Sequence, residues 1–192
     1  MKIKTAHNIP NEAFKLNGHT YSVEAISELA QNYINEGTEN QIHLGKFILN
    51  WIDTSAYISV NTSGTTSKPT SISIPKKAFI HSAQATGMFF NLSSGDSALC
   101  CLPFSYIAAK MMFVRAWVLG LRLDIIEPSS SPLSAILKPY DFSTMVPLQV
   151  HNSIPKLHQI RILLVGGAPV SEDLANQLKC DCKSGSRFLG RP

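Results

Sequence analysis

The chain has 192 residues, 44% of them hydrophobic, and a formal net charge of +4. This length suits one domain with at most a small appendage, and the apolar content is enough for a sizeable core, which excludes general disorder. The charge is too small to predict a nucleic-acid-binding face. No apolar run approaches the ~18 residues of a membrane span, and residues 1–8 lack the apolar centre of a signal peptide. We therefore expect a cytoplasmic protein that binds small molecules. The sequence does not predict its oligomeric state.

The four cysteines lie in two close pairs, Cys100-Cys101 and Cys180 with Cys182. Adjacent residues of a strand point to opposite faces, so Cys100 and Cys101 are poorly placed to form a disulfide. No second pair of cysteine or histidine residues has the spacing of a zinc site. We expect free thiols and no metal ligands among these residues.

The N-terminal quarter shows the pattern of a scaffold. Residues 14–21 predict a hairpin with Asn17-Gly18 at its tip. Ser22 is a good N-cap for a helix whose apolar residues recur at helical spacing until Gly37 ends the pattern. A second helix is predicted from about residue 42 to residue 51. No residue of this segment indicates chemistry.

A loop rich in hydroxyl groups follows, Thr62-Ser63-Gly64-Thr65-Thr66-Ser67-Lys68-Pro69. Its hydroxyls and backbone N–H groups are suited to donate to phosphate oxygens, the glycine allows close approach, and Lys68 supplies positive charge. The flanking segments, residues 56–61 and 70–74, read as strands, so the loop lies between two strands and is not the P-loop of NTPases. The alternative is a polar hairpin loop without a ligand.

From here strands and helices alternate. Pro75 starts a predicted helix with one face formed by Ala78, Phe79, Ser82, Ala83, Thr86, Phe89 and Phe90. Residues 98–102 form a continuous apolar run typical of a buried parallel strand. Residues 103–106 leave that strand at its C-terminal end, where ligand-binding loops lie in open α/β sheets. A helix over 107–119 and a strand over 121–126 follow.

The remaining chain continues the alternation. The predicted elements are a short helix over 133–137, a strand over 141–146, a short helix from Pro147 to residue 150, a strand over 161–165, and a helix capped by Ser171 and ending at residue 178. A turn, Gly166-Gly167-Ala168-Pro169, follows the last strand. The pattern predicts an α/β fold with a mostly parallel sheet flanked by helices.

The hydroxyl loop resembles the Thr-Ser-Gly-Thr-Thr-Gly-Lys-Pro signature of the adenylate-forming acyl-CoA synthetase superfamily. Four later segments join it in order: Cys101-Leu102-Pro103-Phe104-Ser105-Tyr106-Ile107-Ala108-Ala109-Lys110-Met111-Met112, Glu127-Pro128-Ser129, Met145-Val146-Pro147-Leu148-Gln149 and Gly166-Gly167-Ala168-Pro169. This series is similar to the o-succinylbenzoate–CoA ligases of menaquinone biosynthesis, over most of the chain.

The resemblance implies an ATP-dependent ligase that converts an aromatic carboxylate to an acyl-adenylate and transfers the acyl group to CoA, with Mg²⁺ as cofactor. It implies that Lys68 is catalytic and that the loop residues Thr62, Ser63, Gly64, Thr65, Thr66 and Lys68, together with the turn residues Gly166, Gly167, Ala168 and Pro169, bind the nucleotide. It implies that Ser105, Tyr106 and Lys110 bind the acid. Of Met111 and Met112, at least one is expected to fill the core.

The sequence departs from the family pattern at three places. Ser67 replaces a glycine, which is strained if the position needs positive φ. Tyr106 and Ala109 stand where the wider superfamily often has His and Gly. Residues 180–192 lack the expected magnesium-handling glutamate, ribose-binding aspartate and catalytic lysine. We therefore divide the chain into a partial AMP-binding domain, residues 1–179, and an aberrant tail, residues 180–192.

Two alternatives stay open. One is a catalytically inactive nucleotide-binding fragment, which the missing motifs favour. The other is an acyl-CoA synthetase that acts on a different aromatic or fatty acid, since the sequence does not fix the acyl substrate.

Overall fold

The computed structural model describes residues 9–62, 70–181 and 187–190, which form six α-helices and eight strands. The helices are α1 (Val23–Glu36), α2 (Glu39–Ile52), α3 (Lys76–Phe90), α4 (Ile107–Leu119), α5 (Pro147–Ser153) and α6 (Glu172–Asp181). The strands are β1 (Lys15–Leu16), β2 (Tyr57–Thr62), β3 (Thr70–Pro75), β4 (Ser97–Cys100), β5 (Arg122–Ile125), β6 (Tyr140–Met145), β7 (Ile160–Val165) and β8 (Arg187–Gly190). None of the described helices has both the length and the apolar character of a membrane span.

Six strands form one sheet in the order β1-β5-β4-β6-β7-β8, and every neighbouring pair in it is parallel. Parallel pairing requires a crossover between strands, and helices α4 and α5 supply two of these connections. The predicted α/β fold with a mostly parallel sheet flanked by helices is confirmed.

The sheet separates two hydrophobic cores. Alternate strand residues point to opposite faces, so Cys100 and Ile162 belong to the core under α1–α4, whereas Cys101 and Leu163 belong to the core under α5 and α6. Helix α4, which follows β4, therefore lies on one face, and α5, which follows β6, lies on the other. Since β4 and β6 are neighbours in the sheet, the winding changes direction between them, and a crevice forms at their carboxyl ends.

The predicted positions of Cys100 and Cys101 on opposite faces are confirmed. Both thiols are buried and free, and burial raises the pKa of each to about 12. The thiols of Cys180 and Cys182 lie outside what the structure describes.

The two strands that flank the hydroxyl loop form a separate antiparallel hairpin, β2 with β3. Its last register pair is Thr62 with Thr70, so the loop connects the two strands, as the sequence predicts. Residues 63–69 themselves lie outside the described part of the chain. Pro75 ends β3 and caps α3, and Lys76, buried at the start of α3, contacts Asp53 after α2 with a 2.7 Å Nζ–Oδ1 distance.

The predicted helix signals at the N-terminal end are confirmed. The Ser22 hydroxyl accepts a 3.1 Å hydrogen bond from the Ala25 N–H at the start of α1, and Gly37 ends the helix. The second helix begins earlier than predicted, because Thr38 and Gln41 form a capping box.

The predicted hairpin over residues 14–21 is reduced to one antiparallel bridge, Leu16 with His19. Asn17 and Gly18 have the positive φ values, 49° and 82°, of a tight turn. The strand before the turn pairs in parallel with β5 instead, and the Asn17 side chain accepts a 2.8 Å hydrogen bond from the Ile125 N–H. Residues 15 and 16 therefore pair with the edge of the main sheet, and only one bridge of the predicted hairpin forms.

Two predictions for helices were wrong in part. The predicted helix over 133–137 does not form, and residues 131–136 form turns with two i+3 hydrogen bonds instead, because so short a segment gains too few bonds to offset helix nucleation. In α3, the predicted face is too wide, since Ala78, Ser82 and Phe89 are exposed. The buried stripe of α3 is formed by Lys76, Phe79, Ala83, Gly87 and Phe90.

Strand β8 was not predicted. Its backbone pairs with the outer edge of β7, with Ile162 opposite Arg187 and Val165 opposite Gly190. An open parallel edge offers unpaired N–H and C=O groups to any extended segment that reaches it. This part of the predicted tail therefore extends the sheet.

At the amino ends of the strands, one arginine joins two carboxylates. Arg161 contacts Asp96 and Asp141, each at 3.0 Å, and Ser97 donates to Asp141 through its N–H and its hydroxyl. Partial burial by itself would raise the pKa of Asp141, but the Ser97 hydrogen bonds and the Arg161 guanidinium outweigh it and lower that pKa. The network ties together the starts of β4, β6 and β7.

We expect Asp141→Asn to lower the free energy of unfolding at pH 7 by about 1 kcal/mol, a modest value because the ion pair is half-exposed. Since the folded-state pKa of Asp141 is depressed, its contribution is present above the unfolded value of about 3.9 and is lost as the pH falls further. Urea unfolding at several pH values from 7 to 3 measures the free energy of unfolding of both chains. The stability difference between Asp141→Asn and the unaltered chain should shrink toward pH 3. Substitution of the exposed Glu28 in the control Glu28→Gln should neither lower the stability at pH 7 nor change its pH dependence.

Candidate functional site

A pocket of about 870 Å³ lies at the carboxyl edge of the sheet, where the winding changes direction. Its walls come from the segments that follow β4, β5, β6 and β7, from the first turns of α4 and from the start of α5. The lining residues are Leu102, Pro103, Tyr106, Ile107, Ala108, Met111, Arg115, Pro128, Ser129, Ser130, Thr144, Met145, Val146, Leu148, Gln149, Leu164, Val165, Gly166 and Gly167. Most of these side chains are apolar, so the pocket suits a ligand with a hydrophobic body.

Helix α4 forms one wall of the pocket. Ala108, Met111 and Arg115 follow at helical spacing and line it, so they lie along one face of the helix. Met112 points elsewhere and is fully buried in the core. The expectation that at least one of the two methionines fills the core is therefore confirmed.

Arg115 is the buried cation of this wall, with only 8% of its surface exposed. Its Nε donates to the Thr86 hydroxyl at 3.2 Å, its Nη1 lies 3.9 Å from the Met112 sulfur, and its guanidinium carbon is 5.9 Å from the centre of the Phe142 ring. No carboxylate in the described ranges forms an ion pair with it. Because burial disfavours the charged form, the pKa of Arg115 falls to about 10, and the group still carries its charge at neutral pH.

Gln149 fixes the floor of the pocket. Its side-chain amide donates to the carbonyls of Cys101 and Ser129, both at 2.9 Å, and its oxygen accepts from the Val146 N–H at 3.3 Å. These partners lie in the segments that follow three different strands. A single buried side chain therefore holds the loops after β4, β5 and β6 in their mutual positions.

The start of α2 supports two of the same loops from outside. The Asn40 side chain accepts a 2.8 Å hydrogen bond from the Phe104 N–H, in the loop after β4. The Thr38 hydroxyl donates to the Glu127 carboxylate at 2.6 Å, in the loop after β5. The N-terminal helices, which show no chemistry in the sequence, thus position the loops around the pocket.

The structure brings together some of the predicted site residues. Tyr106, Gly166 and Gly167 line the pocket. The turn after β7 requires glycine at position 167, where φ is 87°. A Cβ on Gly166 would meet open space, so this backbone is accessible to a flat ligand.

Other predicted residues lie elsewhere. Ser105, Ala168 and Pro169 are exposed beside the pocket and do not line it. Lys110 also lies outside the lining. Its side chain is partly buried, and this desolvation lowers its pKa. The loop residues Ser63, Gly64, Thr65, Thr66 and Lys68, with the side chain of Thr62, fall outside the described part of the chain.

Arg115 was not predicted as a site residue. The signal that would have found it is a charged residue in the middle of α4, a helix whose other residues from position 111 to position 119 are apolar. A helix that is apolar on all sides offers no solvated face for such a residue. Gln149 was predicted only as part of the segment from Met145 to Gln149.

The residues present fit the implied small molecules to different degrees. The pocket and the open backbone at Gly166 are suited to the acid and to a flat base. For Mg²⁺ the fit is poor, because the described residues contain no group of three His, Cys, Asp or Glu side chains that could hold a metal ion. No residue pattern in the described ranges identifies a CoA site.

No family model matches the sequence, and no curated protein matches it. Several solved structures match the chain. An AMP-forming acyl-CoA synthetase/AMP-acid ligase II-like protein from Dyadobacter fermentans is 31% identical over 79% of this chain, with a TM-score of 0.68, and the chain covers 45% of that protein. The o-succinylbenzoate CoA synthetase of Bacillus subtilis, solved with ATP and magnesium, is 19% identical over 68% of this chain, which covers 28% of the enzyme, with a TM-score of 0.59.

A luciferase-like enzyme from the mealworm Zophobas morio also matches, at 18% identity over 68% of this chain and a TM-score of 0.51, with 32% of that enzyme covered. The chain thus spans less than half the length of each of these proteins. The structural neighbours are AMP-forming acyl-CoA synthetases and a related enzyme, and the chain has the fold of part of the N-terminal domain of AMP-binding enzymes.

Proposed function

We propose that the chain is the acid- and nucleotide-binding part of an AMP-forming acid–CoA ligase, and that its acid carries a second anionic group, as o-succinylbenzoate does. The observation that carries this proposal is Arg115, a buried guanidinium on the wall of an apolar pocket without a carboxylate partner among the described residues. The similarity to AMP-forming acyl-CoA synthetases supports the reaction class.

The chemistry of the acid explains why a cation is needed. o-Succinylbenzoate has two carboxylates joined by an apolar body that includes an aromatic ring. One carboxylate attacks the α-phosphorus of ATP, the bond from that phosphorus to the bridging oxygen breaks, and pyrophosphate leaves as the acyl-adenylate forms; the other carboxylate stays ionised throughout. Burying that second charge in an apolar pocket is costly unless a cation with free N–H donors receives it.

The activated carboxylate needs no side-chain base, because it is already ionised at neutral pH. What the reaction needs is alignment with the α-phosphorus and donors that meet the growing negative charge on the phosphates. We assign these donors to the hydroxyl loop, residues 62–69, with Lys68 as its cation. CoA then displaces AMP, which would place the product in menaquinone biosynthesis, a cytoplasmic pathway.

Binding of two matched acids tests the role of Arg115. We expect the unaltered chain to bind o-succinylbenzoate at least tenfold more tightly than 4-oxo-4-phenylbutanoate, which lacks the ring carboxylate, because a charge-assisted hydrogen bond contributes about 1.5–3 kcal/mol. Arg115→Met should abolish this preference, as measured by isothermal titration calorimetry.

The exposed Arg122→Met is the control for loss of one positive charge and should keep the preference. Equal affinities of the two acids for the unaltered chain would contradict a second anionic group and favour the alternative of a monocarboxylic acid substrate. ATP–pyrophosphate exchange with o-succinylbenzoate separates a ligase from the other alternative, a nucleotide-binding chain without catalysis.

A second prediction concerns the hydroxyl loop. Lys68→Ala should weaken ATP binding by about tenfold or more, since one charge-assisted contact to a phosphate is lost. Fluorescence displacement of a labelled ATP analogue measures it. The exposed lysine at position 77, on α3, offers a matched control in Lys77→Ala, and equal weakening by both variants would remove Lys68 from the nucleotide site.

A further inference from the structure

Thr86 is the one strong hydrogen-bond acceptor for Arg115 among the described residues. It lies on α3, a helix that contributes no side chain to the pocket lining, and its Oγ1 is 3.2 Å from Arg115 Nε. The same hydroxyl donates its proton to the Ser82 carbonyl in the preceding turn, at 2.8 Å. Because a hydroxyl has only one proton, the Thr86 oxygen can meet Arg115 only as an acceptor. The direction of this two-step hydrogen-bond chain is therefore fixed.

The rest of the guanidinium is restrained without using strong acceptors. The Phe142 ring packs near the guanidinium carbon, at 5.9 Å, and the Met112 sulfur, a weak acceptor, lies 3.9 Å from Nη1. In the part of the chain that the structure describes, no carbonyl or carboxylate takes the remaining Nη protons. With Nε held by Thr86, these protons are the donors left for a ligand in the pocket.

We propose that Thr86 is the positioning residue that aims the terminal N–H groups of Arg115 into the pocket, and so sets the preference for an acid with a second anionic group. This inference rests on the proposed function of Arg115. Thr86 does not line the pocket. It acts by fixing the plane of the guanidinium, since a bidentate contact to a carboxylate depends on that plane.

The test removes the acceptor and keeps the shape. Thr86→Val retains the β-branched side chain but has no oxygen, and we expect it to weaken binding of o-succinylbenzoate by about tenfold while leaving 4-oxo-4-phenylbutanoate binding within twofold of the unaltered chain. Thr86→Ser keeps the acceptor and should restore the preference. The exposed Thr20→Val serves as the matched control and should change neither affinity.

A second readout is independent of any acid. In ¹⁵N NMR spectra, the Nε–H proton of Arg115 should exchange slowly with water in the unaltered chain and in Thr86→Ser, and at least tenfold faster in Thr86→Val. Arg115→Lys identifies the signal by removing it. If Thr86→Val is poorly folded, as judged by circular dichroism, Thr86→Ala takes its place in both measurements.

Acid binding and Nε–H exchange together distinguish failure of the role of Thr86 from failure of the proposed function of Arg115. Unchanged Nε–H exchange in Thr86→Val, or equal weakening of both acids, would overturn the role of Thr86. A Thr86-dependent Nε–H signal in a chain that shows no preference between the acids would support the hydrogen-bond geometry, overturn its role in specificity, and count against the proposed function of Arg115.

Discussion

The site depends on the parallel pairing of β4 with β6. The register sets Ala98 opposite Phe142 and Cys100 opposite Thr144, so the two strands end within one residue of each other. Because the helix after β4 packs on one face and the helix after β6 packs on the other, neither helix covers the gap between the strand ends. Loops have to form the walls there, and Gln149 and the start of α2 hold those loops through hydrogen bonds to their backbone.

Burial of the Arg115 charge destabilises the folded state, and packing alone does not explain why an arginine lies at this position. A buried charge without an opposite charge loses its hydration free energy. Contacts with one hydroxyl, one sulfur and one aromatic ring offset only part of that loss. Its neighbours on α4, Phe113, Val114, Ala116 and Trp117, are apolar and buried. An apolar residue at position 115 would suit this helix better. A residue that opposes the local pattern in this way is expected at functional sites, where the ligand supplies the missing partner.

Local signals in the sequence predicted much of the fold, because they act over a few residues. Ser22 and Gly37 bound α1 through contacts within one turn, and the apolar runs at residues 98–102 and 162–165 mark buried strands. Two of the misses share one cause. Strand β8 and the pairing of β1 with β5 both depend on partners distant in the sequence.

The candidate site shows the same division. The Gly166-Gly167 turn was predictable, since it follows a strongly apolar strand and has a backbone that only glycine adopts readily. Arg115 was not predicted, because the apolar pattern of α4 identifies a buried helix but assigns no function to the charge within it; the unusual position of that charge was the available signal. The structure supports a role for it, because its guanidinium contacts Thr86, Met112 and Phe142, and no carboxylate of the described residues forms an ion pair with it.

Helix α3 connects the two halves of the proposed chemistry. At its start, Pro75 joins it directly to the hairpin that carries the hydroxyl loop, and the buried Lys76 fixes that end to Asp53 through two hydrogen bonds of 2.7 and 2.9 Å. Ten residues further along, Thr86 contacts Arg115, at an axial separation of about 15 Å given the 1.5 Å rise per residue. A packed helix does not compress over that distance. One rigid helix therefore holds the base of the hairpin, where Pro75 pairs with Tyr57, at a set separation from Arg115, while the hydroxyl loop continues from the opposite end of the hairpin, where Thr62 pairs with Thr70. In the proposed function, this shared support favours the alignment of a carboxylate with a phosphorus atom.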